Sequence, residues 1–257
     1  RLKVIILSVS VCVKEMGLDP VALMIEFNRN LQKKWKGKFT VQSIKKYIGA
    51  WAAFKYLKSE VIWWVDSEAY LWRRDFSMVR WLNDYWDKGP NMFWTRDTRW
   101  GNTVDRCSIC LANGTMKDMH KSLEDRGRRH LFEYPFYLVG KEVFDIWTNY
   151  IEGLWGGRKF IYVFLDKGFA ASGRIMHFIE SNLMVFIEAC KTTQFSPSCS
   201  RYNVLEVDGI FVKEMGKEKA DSYFAYSGKQ GHFEHMFRFL SNSTYSKELI
   251  KIANKYR

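Results

Sequence analysis

Apolar residues along this chain fall into two patterns, short unbroken runs and longer stretches with apolar side chains three and four apart. The first reads as buried strand and the second as amphipathic helix. The runs are KVIILSVSVCV at 3–13, VIWWV at 61–65, the Phe-Trp pair within 91–102, Tyr137 to Val139, KFIYVFL at 159–165 and RYNVLEVDGIFV at 201–212. The last carries Asp208-Gly209 and predicts a strand pair or hairpin turning there. Residues 3–13 also suit the stub of a hydrophobic anchor, although the run is too short to cross a bilayer.

Helical spacing is clearest between these runs. Residues 18–35 begin with Asp19 as an N-cap and Pro20 at the first helical position, and Val21, Met24, Ile25 and Leu31 form the expected apolar face. Lys33, Lys34, Lys36 and Lys38 follow at the basic end, where they complement the helix dipole. After Gly37, residues 40–60 place Ile44, Ile48, Trp51, Phe54 and Leu57 at helical intervals and lead straight into VIWWV. DFSMVRWLNDYW predicts a short helix capped near Asp75 or Ser77 and ended by Gly89 and Pro90. Further helices are expected from Lys141 to about Leu154, closed by Gly156 and Gly157, over 177–190 with Glu180 in its first turn, and over the last twelve residues. Residues 101–130 read as a charged loop, with Arg126, Arg128, Arg129 and His130 close together, either a lid over an anion or a solvated loop.

Alternation of runs and helices predicts an α/β fold: one domain over 1–257 with a mixed, mostly parallel central sheet flanked by helices. VIWWV is apolar on both faces, so it is expected in the middle of that sheet. It ends in Asp66-Ser67-Glu68, two carboxylates at the C-terminal edge, where open α/β sheets bind ligands. Hard oxygen ligands in that position suit a divalent cation.

Composition narrows the partners. The net charge of +12, from 40 Lys and Arg against 28 Asp and Glu, favours polyanions: nucleic acid, anionic membrane or phosphorylated small molecules. Aromatic residues make up 17% of the chain, 11 of them Trp, and suit sugar faces and bases as well as an ordinary core. The basic residues are scattered and not striped, and no nuclease-like lysine follows the acids closely, which disfavours nucleic acid. Five cysteines, an odd number, leave no complete disulfide framework, and Cys107-Cys110 lacks the second ligand pair of a zinc ribbon. Asn113-Gly-Thr and Asn242-Ser-Thr match the N-glycosylation acceptor pattern.

Three segments, QSIKKYIGAWAAFKYLKSEVIWWVDSEAY at 42–70, FIESNLM at 178–184 and YSGKQGHFEH at 226–235, together resemble the GT-A-fold glycosyltransferases with a DxD motif. Glu68 stands where that family has a second aspartate, and His232 follows Gly228 and Lys229, whereas glycogenin-like members place the histidine before them and carry a Pro-Trp that is missing here. The resemblance implies a Rossmann-like GT-A domain with a donor-binding half over 1–100 and an acceptor-binding half over 101–257. It implies transfer of a sugar from a nucleotide-diphosphate donor to a glycan or glycoconjugate hydroxyl, with Mn²⁺ or Mg²⁺ bridging acids and diphosphate. Asp66 would lie near ribose and metal, Glu68 and His232 on the metal, and Gly228, Lys229 and Lys46 near the diphosphate. Glu180, or in reserve Glu133, would take the acceptor proton in an inverting reaction. Lys46 equally suits a solvated surface, and Glu180 a dipole-favoured helix start. The rival functions are a metal-dependent nucleic-acid-binding or -cleaving protein and a membrane-surface module. The chain is expected to be soluble as given, or lumenal or peripherally membrane-associated if an N-terminal anchor has been removed.

Overall fold

The computed structural model describes residues 6–31, 35–64, 79, 83, 86–87, 89–95, 130–131, 137–167 and 179–206. These form seven helices and five short strands: α1 (Val9–Glu15), α2 (Pro20–Leu31), α3 (Trp35–Tyr56), β1 (Val61–Trp64), β2 (Asn91–Thr95), β3 (His130–Leu131), β4 (Tyr137–Gly140), α4 (Lys141–Leu154), α5 (Phe160–Lys167), α6 (Ile179–Thr192), α7 (Pro197–Ser200) and β5 (Asn203–Glu206). The expected α/β domain with a mostly parallel central sheet, and with it the GT-A-like architecture, is therefore corrected. The described residues are mainly helical, with two small sheets. In one, β1 pairs antiparallel with β4, Val61 opposite Gly140 and Trp64 opposite Tyr137. In the other, β2 lies between antiparallel β3 and parallel β5.

Two apolar runs account for most of the difference. Residues 3–13 and 159–165, expected as strands, contribute α1 and α5. A short run that is apolar on every side looks the same in sequence whether it is a buried strand or a buried helix, because it carries no polar face to set a period. In α5 the residues Phe160, Ile161, Val163, Phe164 and Leu165 are all buried, so the helix is enclosed nearly all round. β1 differs for another reason. Val61, Ile62 and Trp63 are only half-buried, and among the described residues β4 is its one partner, so it does not lie in the middle of a covered sheet. Residues 203–206 of the expected hairpin form β5, which pairs with β2; Asp208 and Gly209 lie outside the described residues.

Local chemistry explains where the helices start and stop. After α1, Gly17 takes φ +74°, and the Leu18 N–H donates to the Val13 carbonyl at 3.1 Å, the left-handed helix ending that glycine makes accessible. Asp19 then caps α2 as expected, its carboxylate accepting from the Val21 N–H at 2.8 Å. The apolar face of α2 is not the expected one. Leu23 and Phe27, four apart, are buried, whereas Val21, Met24 and Ile25 remain 68%, 54% and 48% exposed. α3 runs through Gly37 and buries Ile44, Ile48 and Phe54, leaving Leu57 exposed. Lys55 Nζ lies 2.6 Å from Glu15 Oε2, tying α3 to α1 and holding the Glu15 carboxyl below the usual glutamate range. α4 spans the expected residues and closes with the Gly157 N–H on the Glu152 carbonyl at 2.8 Å.

One hydrophobic core joins α1 to α6, with β1 and β4 at its side. At its centre Tyr47 stacks on Phe160, ring centroids 4.4 Å apart, and Trp147 meets Phe160 edge-on at 4.5 Å. Such aromatic pairs add to area burial by about 0.5–1.5 kcal/mol each. α6 is bound to α7 by the disulfide Cys190–Cys199, both sulfurs buried, across a turn in which Gln194 takes φ +54° and Ser196 caps α7. Among the described cysteines the third, Cys12, is a buried thiol whose pKa is raised by burial; Cys107 and Cys110 lie outside the described residues.

Candidate functional site

α3 delivers the chain to β1 through residues 57–60, and β1 is fixed to the start of α4 by the Lys141 N–H donating to the Glu60 carbonyl at 2.8 Å. The strand ends at Trp64, two residues before Asp66. Trp64 is only 7% exposed, and its indole Nε1–H has no hydrogen-bond acceptor among the described residues. A buried donor left without an acceptor typically costs about 1–3 kcal/mol. The end of β1 thus carries a polar group that an oxygen atom would satisfy.

Behind β1, α3 packs on α6, and there the structure brings together two residues singled out from the sequence. Lys46 Nζ donates to Glu180 Oε1 across 134 positions of chain, with the two side chains 20% and 6% exposed. Opposite charges so placed stabilise each other where water is largely excluded, and removal of Lys46 takes the cation from the buried carboxylate. Asn182, two residues after Glu180, accepts from Trp147 Nε1 at 2.9 Å, and Tyr47, next to Lys46, donates from its hydroxyl to Thr148 Oγ1 at 3.3 Å. Burial pushes the Tyr47 hydroxyl well above the ordinary tyrosine range, so it remains a proton donor at all physiological pH values. The result is a polar seam linking α3, α4 and α6 along the edge of the aromatic core.

Of the candidate residues, then, Lys46 and Glu180 are brought into contact. Asp66, Glu68, Glu133, Gly228, Lys229 and His232 lie outside the described residues. Among the described residues no group of three or more His, Cys, Asp or Glu is placed to hold a metal ion, and no helix is long and apolar enough to cross a membrane. Sequence reasoning missed Asn182 and the Trp64 indole. Asn182 left a weak signal: it directly precedes the apolar run Leu183 to Ile187, and an amide buried beside such a run is costly unless paired.

Lys46 occupies Oε1 of Glu180, so a substrate hydroxyl would have to reach the other oxygen or displace Lys46. Lys46 can meet an anion only while still neutralising Glu180 or after leaving it. The pair as it stands positions helices and carries no net charge. Compared with protein-family models, curated proteins and solved structures, the chain matches none.

Proposed function

We propose that the chain is a metal-dependent glycosyltransferase, moving a sugar from a nucleotide-diphosphate donor to a hydroxyl of a glycan or glycoconjugate. The observation that carries the reading is the end of β1: a buried indole donor without an acceptor among the described residues, followed in sequence at two and four residues by Asp66 and Glu68. An oxygen-rich ligand would satisfy the one and share a cation with the others. This does not depend on a GT-A sheet, since only the strand end and its acids are used.

In this reading Asp66 contacts ribose and metal, Glu68 and His232 hold the metal, and Gly228 and Lys229 approach the diphosphate. The bound cation, Mn²⁺ or Mg²⁺, would offset the negative charge that builds on the departing nucleotide diphosphate. Lys46 and Glu180 hold α3 against α6 and so fix the helix that feeds β1. If the reaction inverts configuration, Glu133 takes the acceptor proton, because Glu180 is already engaged with Lys46. The Cys190–Cys199 bond supports an oxidising setting such as the secretory-pathway lumen.

The test is a thermal-shift series with nucleoside diphosphates and nucleotide-sugars, with and without Mn²⁺. At least one should raise the melting temperature in a Mn²⁺-dependent way, and Asp66→Ala or Glu68→Ala should abolish that rise while leaving the melting temperature of the unliganded protein within a few degrees. No stabilisation by any nucleotide, or stabilisation that survives both substitutions, refutes the reading.

A further inference from the structure

Seven of the eleven large hydrophobic side chains found exposed among the described residues lie between Ile6 and Ile25, on or just before α1 and α2. These two helices pack on each other and on α3, yet each turns aliphatic side chains to solvent: Val9 and Val11 from α1, and Val21, Met24 and Ile25 from α2. The last three are spaced i, i+3 and i+4, a continuous stripe along one side of α2 opposite buried Leu23 and Phe27. Exposed single aliphatics need no explanation, but such a concentration marks a surface that meets something apolar.

Charge indicates what that is. Residues 1–38 hold eight Lys and Arg against three Asp and Glu, so about a seventh of the sequence carries five of the net +12 charges. Its acids are largely answered: Glu15 by Lys55 at 2.6 Å and Glu26 by Arg29 at 2.8 Å. An aliphatic surface in a basic, acid-neutralised segment has the composition of an interfacial membrane anchor, whose apolar side enters the headgroup boundary while cations meet anionic lipid.

We propose that the exposed aliphatic side of α1 and α2 docks on an anionic membrane surface, lying on it without crossing it. This is independent of the catalytic proposal and holds whatever reaction the chain performs.

Co-sedimentation of the full chain with vesicles tests it. The protein should pellet with vesicles of phosphatidylcholine mixed with phosphatidylserine, bind those of phosphatidylcholine alone at least about tenfold less, and be released by salt. The paired substitution Val21→Glu and Ile25→Glu should reduce binding to the anionic vesicles by about tenfold or more. Both positions are exposed, so the variant should keep the wild-type circular dichroism spectrum and melting temperature; Val79→Glu, at an exposed aliphatic outside the surface, should bind like wild type. The proposal fails if the wild type does not pellet, or if the paired variant binds as well as wild type. It fails too if light scattering shows a dimer that the same pair dissociates, since a second copy would then be the occupant.

Discussion

Lys46 and Glu180 show how two residues read from sequence as open to a ligand can prove to hold each other. A lysine in the first turns of a helix and a glutamate at the start of another look like groups available to a ligand. In the fold they meet each other, both largely withdrawn from water. Residue type and helix position were legible; the partner was not, because nothing local in either segment refers to the other. Lys46→Ala alone should lower unfolding free energy by about 3–5 kcal/mol, because it takes the cation from the buried Glu180 carboxylate, and Glu180→Ala should cost less, because Lys46 is the more exposed of the two and keeps other interactions. The combined Lys46→Met and Glu180→Leu variant should recover most of that loss, since two apolar side chains of similar size replace the pair. Urea denaturation of the four proteins measures it, and equal additive losses in the double variant would show that the two do not act as a pair.

At the scale of elements, the punctuation was easier to read than the runs it separates. Asp19-Pro20 at the start of α2 and Gly156-Gly157 at the end of α4 were both legible, because caps depend on a few adjacent residues. Residues 159–165 were not, because burial on nearly all sides erases the period that distinguishes helix from strand, and residues 3–13 were not, because their β-branched run favoured a strand although Val9 and Val11 are exposed on a helix. Gly89 lies between these cases. Its place just before a strand is evident from sequence, but the force of the requirement is not: with φ +81°, a Cβ there would stand 1.9 Å from the Arg201 carbonyl oxygen, which belongs to the other end of the chain. Beside it, Asn203 donates from its backbone N–H to the Pro90 carbonyl at 2.8 Å, where parallel β2 and β5 begin. Gly89→Ala should therefore cost at least about 1–3 kcal/mol, from the left-handed backbone and the clash together. The same substitution at Gly156, also left-handed but with open space around it, should cost less. Comparing the two melting temperatures separates conformational strain from contact; equal losses would mean that the approach of Arg201 does not matter.

For the molecule as a whole, the candidate site was legible only at its ends. The helix that leads into β1 was legible and Asp66 and Glu68 follow the strand in sequence but lie outside the described residues, whereas the donor at Trp64, the contact of Asn182 and the choice of cysteine partners come from tertiary placement. Cys190 and Cys199 close a short loop, a spacing of nine residues, between α6 and α7. By the loop-entropy relation such a bond contributes roughly 2–4 kcal/mol. Reductant should lower the melting temperature of the wild type and leave that of a Cys190→Ala, Cys199→Ala variant unchanged; a wild type indifferent to reductant would show that the bond adds nothing to stability.

The polar contact between α3 and α6 also sets an order of events during synthesis. Its two members are separated by 134 positions, so α3 leaves the ribosome long before the helix that completes its buried side exists. Until α6 emerges, Lys46 has no carboxylate from it, and the apolar face bearing Ile44 and Ile48 lacks part of its cover. Contacts that span so much chain slow folding and prolong exposure of apolar surface. A fragment ending before residue 179 would retain that unfinished surface permanently, so the N-terminal helices cannot be expected to mature as an independent unit.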